Sequence, residues 1–590
     1  MSLKLALKAH QAGDLSLAKK YYSESFSAGD KNPVLYQNYG ALLRQDAKTD
    51  SALEVYEKGL ALFPVHHGIL TNSANLLWDM GRVTSSIELN LRALTLLLAS
   101  ANKDNQKCID AVSDLALEQL STVNCFALAF DLLRVVAPYR SLDCRFLLAI
   151  RLLYSKYISS GISDEELTNT QLLDEILESK LEDADDVTRV KIKLILASTS
   201  AKESGIEESI SQFMALESEL KSRKLCENSD SDRIRDIWTT HSWNFASKLL
   251  QHQQFKLGWR LFDYGLVTQA PGKQMWQRAL KKPFSSQVLP LWKGESLAHK
   301  SLLILEEQAI GDIMMFLTLL PSLLREAKHC GILLTPRLLS IYKRSFRKYI
   351  DSGQLTLFNS VKHASFPDPD NYDYQVALGS IMQFRHTDIN CYGREFPVLI
   401  HDIAPHERFH ARYRSSQPKS KLIGLSWRGG GHQKRQREKS ISISTFASCL
   451  RGIQQLHDVQ YISLQYGDVS RDIELFSNYG VSVIHDEEVN PIKDMDLWLS
   501  LVSSCDAVIS VANTTIHGSG GLAIPTACLL STQFDWRWLS SESVTGSYWY
   551  PSVSIFRQTL DSKWSSALDG VSQWIADGFP LSDPASRSMI

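Results

Sequence analysis

Apolar positions fall into three regimes along the chain. Over the first hundred residues they recur at helical spacing, and that spacing itself repeats: Gly13, Ala47 and Gly81 are 34 residues apart, as are Ala18, Ala52 and Ser86, and Phe26, Leu60 and Leu94. Tyr22 and Tyr56 keep the register, with Asn90 in the third copy, and the units end near the breakers Asn32-Pro33 and Phe63-Pro64. A fixed period with a small residue where two antiparallel helices must approach closely predicts three helix–turn–helix repeats over residues 1–100. Such units stack into a superhelix whose groove takes a peptide or protein segment. Tyr36, Asn38, Asn72 and Asn75 fall on the first helices of these units, where they either face the groove or bridge neighbouring repeats.

From residue 101 to 285 the pattern stays helical but loses its period, as in Leu115, Leu117, Leu120 and Leu128; this predicts degenerate helical repeats that connect the array to the C-terminal half. An acidic stretch within it, residues 163–186, reads as a solvated helix face or loop. After Pro290 short aliphatic runs alternate with helical segments: SLLIL (301–305), GILLT (331–335), QLTLF (354–358) and YQVAL (374–378). A polar, proline-containing stretch near 385–421 intervenes. The alternation then resumes with KLIGLSW (421–427), VQYISLQ (459–465), GVSVIH (480–485), DAVISV (506–511) and TACLL (526–530). These are βαβ units on parallel sheets. The predicted class is α plus α/β: a helical solenoid followed by two Rossmann-like domains, 290–400 and 420–580, whose carboxyl edges face a cleft.

Composition narrows the function classes. A chain of 590 residues exceeds one hydrophobic core, and 44% hydrophobic with 22% charged residues excludes wholesale disorder. With Lys+Arg 63 against Asp+Glu 65 the chain lacks the basic excess of a sequence-independent nucleic-acid binder. None of the nine cysteines forms a C-x-x-C pair, so neither a zinc site nor a redox dithiol is expected. The N-terminus lacks an apolar signal core, and no run of about 18 apolar residues occurs; a cytoplasmic protein with no membrane span is expected.

Chemistry is expected in the loops at the strand ends. After SLLIL come Glu306, Glu307, Gln308, Ala309, Ile310, Gly311 and Asp312, then a helix. Asp312 reads equally as a helix cap or as a carboxylate projected into the cleft as a general base. After IGLSW comes Arg428 with three glycines and a basic run ending in Lys439; this is a phosphate clamp or a solvated loop. After DAVISV come Asn513, Thr514, Thr515 and His517 with glycines at a helix start, a seat suited to phosphate. No Walker loop, G-x-S-x-G, H-E-x-x-H or kinase set is present.

At these residues a family resemblance becomes specific. WKGE (292–295), LLILEEQAIGD, IGLSWRGG, YISLQYGD, SVANTTIHGSGGLAIPT, DWRWL and WYPSVSIFRQ occur in order behind the N-terminal repeats. The series resembles the bacterial tetratricopeptide-repeat glycosyltransferases, whose second half is similar to the GT-B heptosyltransferases of family 9. In layout it is similar to the flagellin glycosyltransferases. The resemblance implies metal-independent transfer from a nucleotide-activated sugar to protein hydroxyls, with flagellin as the acceptor held by the repeats. It casts Asp312 as base, with Gln308 and Gly311 in the acceptor loop. Lys439, then Arg428, become the donor-phosphate residues, with Asn513, Thr514, Thr515 and His517 around the phosphates and Gln465 near the nucleotide base or ribose. It implies no cofactor beyond the nucleotide-sugar co-substrate, for which CMP-linked nonulosonic acid and nucleotide-diphosphate sugars both qualify. Ala309 stands where the family commonly has glycine, and Asn513 where the heptosyltransferases have aspartate. Two other functions compete: a lipopolysaccharide or surface-glycan glycosyltransferase, and a non-catalytic repeat adaptor.

Overall fold

The computed structural model describes residues 2–46, 48–100, 105–123, 125–139, 146, 185–200, 205–222, 231–266, 278, 284–361, 366–415, 417–430, 433–559 and 563–581. The acidic stretch lies almost wholly outside them. The chain divides into two compact units, Met1–Ser222 and Arg223–Ile590.

The first unit opens with three helical hairpins, α1 (Ser2–Gln11) with α2 (Leu15–Ser27), α3 (Pro33–Gln45) with α4 (Thr49–Leu62), and α5 (His67–Asp79) with α6 (Val83–Ala99). The period predicted these pairs, and their turns explain it: Gly13 and Gly81 sit at φ +79° and +76°, a left-handed conformation that favours glycine. Ala18, Ala52 and Ser86 are fully buried where the paired helices meet. Asn32 caps α3 by accepting a hydrogen bond from the Val34 amide at 3.0 Å, with Pro33 in its first turn. In the third hairpin, Asn90 replaces the buried tyrosine. It donates to Gln119 of α7 (Gln106–Thr122) at 2.8 Å, and Gln119 donates to Ser86 at 3.0 Å. That buried network fixes the register of α7 on the array. Three of the side chains considered for the groove are engaged between helices instead. Tyr36 donates to the Asp30 carbonyl, Asn38 to the Tyr22 hydroxyl and Asn72 to the Gln37 carbonyl.

The second unit carries two all-parallel sheets. β1 (Ser301–Leu305), β2 (His329–Leu334), β3 (Leu355–Asn359) and β4 (Tyr374–Ala377) lie in the order β3-β2-β1-β4. β5 (Lys421–Ser426), β6 (Val459–Ser463), β7 (Val483–Ile484), β8 (Ala507–Val511), β9 (Thr526–Leu530) and β10 (Val553–Arg557) lie in the order β7-β6-β5-β8-β9-β10. Every residue of β1, β8 and β9 is buried, which is why these strands read as unbroken apolar runs rather than alternating ones. The strand order reverses between β1 and β4 and between β5 and β8, the points where doubly wound sheets open a crevice for ligands. The two halves together have the GT-B layout.

Helices Ser231–Gln251 and Phe255–Phe262, expected only as part of the connecting region, are built into this unit. Trp259 stacks edge-on to Trp536 and Trp549, and its indole N–H donates to Tyr392 at 2.8 Å. Burial of these rings fastens the helical pair to the α/β core. Arg278, with a fully buried side chain, pairs with Glu307 after β1 and with Asp263 after the helical pair, and donates to Ser380 after β4 at 3.0 Å. Glu307 also accepts from the Gly379 amide at 2.6 Å, so one carboxylate ties together the two loops of the first switch point.

Candidate active site

A cavity of about 610 Å³ lies between the carboxyl edges of the two sheets. The first half contributes Ala309, Gly311, Asp312 and Arg337; the second contributes Arg435, Lys439, Tyr466, Trp498, Asn513, Thr514, Thr515, His517, Asp535 and Arg537.

The β1 loop is shaped to aim Asp312. Gln308 adopts φ +62°, and helix Ile310–Phe316 starts immediately behind the turn. Glu306 holds the loop by accepting from Ser360 and from the Thr335 amide. Gly311 is required by close approach: a Cβ there would lie 2.8 Å from Cδ2 of His517 and 3.3 Å from Oγ1 of Thr514. The two loops singled out from the sequence therefore touch at this glycine.

Across the cavity, Asn513 caps helix Thr514–Gly521, accepting from the Thr515 amide at 2.8 Å. Its amide donates to Ser426 at 2.8 Å and to the Arg428 carbonyl at 3.0 Å, closing the β5–β8 switch point. An asparagine serves here because both donor and acceptor are used. The helix start, with Thr514 and Thr515 on the cavity wall, brings the positive end of its dipole to the cavity.

Ion pairs run through the site. Arg537 grips Asp312 with Nε at 2.7 Å and with Nη2, and reaches Asp535 with Nη1 at 2.9 Å. Asp535 also meets Lys439 at 3.1 Å and Arg435 at 3.5 Å. Burial alone would raise the Asp535 carboxyl, but Arg537, Lys439 and Arg435 together hold it well below the usual carboxylate range. Burial would lower the Arg537 guanidinium, and its two carboxylate partners push it the other way. Four lining cations face two lining carboxylates, leaving the cavity with two positive charges in excess, the complement of a diphosphate.

Two placements, those of Arg428 and Gln465, differ from the sequence expectation. Arg428 does not line the cavity: its guanidinium donates to the Asp468 carbonyl at 2.8 Å and pairs with Asp472 at 3.4 Å, bracing the loop after β6. Gln465 is buried, and its Oε1 accepts from Ser426 and from the Trp427 and Arg428 amides at 2.9–3.0 Å, so it organises the β5 loop rather than a nucleotide. His517 is buried with Nδ1 at 2.9 Å from the Tyr550 hydroxyl, and burial pushes it down to about 4. It is neutral at pH 7 and offers a phosphate a hydrogen bond rather than a charge.

Sequence reasoning did not single out Arg537, Asp535, Arg435 or Arg337. The first two sit in Asp535-Trp536-Arg537-Trp538, where two opposite charges alternate with tryptophans; charges embedded in large apolar residues must find partners when buried, which was the available signal. Arg337 donates to the Pro491 carbonyl at 2.5 Å, joining the two halves. Among the described residues no three His, Cys, Asp or Glu side chains are arranged to hold a metal ion, and no helix is long and apolar enough to cross a membrane.

No known family model matches the chain. Protein FlbA of Caulobacter vibrioides is 25% identical over 296 residues, a match covering 48% of this chain and 48% of FlbA. The chain thus spans about half the length of the curated relative it matches. Among solved structures, the glycosyl transferase family 9 protein of Veillonella parvula aligns at 11% identity over 50% of this chain and 92% of its own, with a TM-score of 0.31. ADP-heptose lps heptosyltransferase II of E. coli aligns at 13% identity over 47% of this chain and 96% of its own, with a TM-score of 0.30. A Thermobaculum terrenum O-GlcNAc transferase mutant aligns at 10% identity over 98% of this chain and 91% of its own, with a TM-score of 0.28. At these scores the structural likenesses carry no functional weight, and the case for function rests on the residues of the cleft.

Proposed function

We propose that the protein is a glycosyltransferase that moves a sugar from a nucleotide-activated donor to a serine or threonine hydroxyl of a protein, with flagellin the favoured acceptor. The observation that carries this reading is the convergence in one cavity of Asp312 from one sheet with Lys439, Arg435, Arg537 and the helix start at Thr514 from the other. Transfer joins the acceptor oxygen to the anomeric carbon as the bond from that carbon to the donor phosphate breaks. The electron pair leaves with the phosphate, and the hydroxyl proton goes to Asp312. A hydroxyl is a weak nucleophile until such a base takes its proton. The leaving phosphate is stabilised by Lys439, Arg435 and Arg537, by the helix start at Thr514, and by the neutral imidazole of His517. The hairpins of the first unit supply the acceptor-binding surface, which raises the local concentration of a protein substrate.

The purified protein, given a panel of CMP-, UDP-, GDP- and ADP-linked sugars with flagellin, is expected to release nucleotide and add sugar mass from one of them. Asp312→Asn is expected to bind donor at least as tightly as wild type and to lose transfer. Full transfer by that variant would remove Asp312 from the base role.

A further inference from the structure

The expected base is not free. Asp312 is held in a two-pronged pair with Arg537, and the same guanidinium bonds Asp535 on the other side. Asp535 in turn occupies the meeting point of Arg537, Lys439 and Arg435, all of which line the cavity. Three cations converging on one carboxylate make the charge arrangement that a phosphate requires, with a protein carboxylate seated in it. The guanidinium lies 4.3 Å over the face of Trp536, which is itself stacked on Phe316 at 5.8 Å and packed against Trp259. A planar cation resting on a fixed ring keeps its cation–π contact while its hydrogen-bond partners change.

We propose that Arg537 couples donor occupancy to release of the base: it pairs with Asp312 and Asp535 before the donor binds and transfers to the donor phosphate once it has bound. This rests on the glycosyl-transfer reading of the cleft. The incoming phosphate competes with the two carboxylates for one guanidinium. Winning that competition places Arg537 on the leaving group and frees Asp312 of its cation beside the acceptor hydroxyl, with its second oxygen still held by the Ala309 amide at 3.3 Å. Asp312 and Asp535 are therefore internal competitors of the donor, and a base that is neutralised until the donor arrives keeps an acceptor from being activated without a sugar to receive.

The coupling predicts effects of opposite sign on binding of the full-length protein, measured by calorimetry with CMP, UDP, GDP, ADP and inorganic pyrophosphate as probes. Asp535→Asn and, separately, Asp312→Asn each remove a competitor and are expected to tighten the best-bound probe roughly tenfold, the worth of one charge-assisted contact. Arg537→Gln is expected to weaken it by roughly ten- to a hundredfold. A merely structural salt-bridge cluster gives weaker binding in all three variants. If wild type binds a probe and neither aspartate variant tightens it, the coupling is overturned while the donor reading stands. If wild type binds none of the probes, both fall.

Discussion

Gly311→Ala tests the apposition of the two halves with a single methyl group. The added Cβ would sit 2.8 Å from Cδ2 of His517 and 3.3 Å from Oγ1 of Thr514. Carbon–carbon contacts settle near about 3.5–4.0 Å, so the two loops must separate by roughly 0.7–1.2 Å. His517 does not yield readily, because its ring is buried and its Nδ1 is held at 2.9 Å by the buried Tyr550. The substitution itself suits the backbone: Gly311 is the second residue of helix Ile310–Phe316, where alanine is favoured over glycine by about 1 kcal/mol. Overpacking costs about 1–3 kcal/mol, so the net loss of stability is at most ~2 kcal/mol, a shift of a few degrees in Tm. Catalysis is far more sensitive, since displacing the base by about 1 Å from the donor site lowers kcat/KM on the order of a hundredfold. Steady-state transfer and thermal unfolding on the same preparation separate the two effects. His517→Ala, which removes the clashing ring, is expected to cost less in the Gly311→Ala background than in wild type. A Gly311→Ala protein with kcat/KM within twofold of wild type, or additive effects of the two substitutions, would refute the close apposition of these loops.

Other regions of the molecule give three further expectations. Arg278→Met leaves buried Glu307 and half-buried Asp263 without their cation and is expected to destabilise the protein by about 3–5 kcal/mol in chemical denaturation, with partial recovery on adding Glu307→Gln; an unchanged midpoint contradicts the ion-pair account. Burial pushes His517 and His386 down to about 4, against about 6.5 in an unfolded chain. Protonation thus favours the unfolded state, so their contribution is complete above about pH 6.5 and is lost as pH falls toward 4, by ~3 kcal/mol each. Urea denaturation at pH 7.5 and 4.5 should show a decline that the His386→Gln/His517→Gln double variant flattens. A chain lacking residues 1–222, the first compact unit, is expected to retain nucleotide binding and lose transfer to a protein acceptor; equal transfer by the shortened chain refutes the acceptor role of the repeats.

The repeats were legible because close helix packing tolerates few side chains: a small residue returns at Ala18, Ala52 and Ser86, and all three are fully buried. The strands were legible because sheets covered on both faces need unbroken aliphatic runs, as at β1 and β8. β7 is shorter than its apolar run, only Val483–Ile484, and β10 is hidden inside an aromatic motif. Asp312, Lys439, Asn513, Thr514, Thr515 and His517 line one cavity because loops at strand ends of a doubly wound sheet converge, and that convergence was legible from their positions. Local sequence does not show who meets whom across long separations. Arg428 and Gln465 sit beside the cleft with chemistry suited to it, yet they are engaged by Asp468, Asp472 and the β5 loop. Arg537 lies 225 residues from Asp312, a pairing that only the apposition of the two halves creates.

If Asp312 and the facing cations transfer a sugar to a surface protein, the intact mass of the host's flagellin reports it. Deleting the gene is expected to remove sugar-sized increments from flagellin; the wild-type gene restores them, and the Asp312→Asn gene, expressed at the same level, does not. Flagellin of unchanged mass in the deletion strain would contradict flagellin as the acceptor, and restoration by Asp312→Asn would contradict the catalytic site itself.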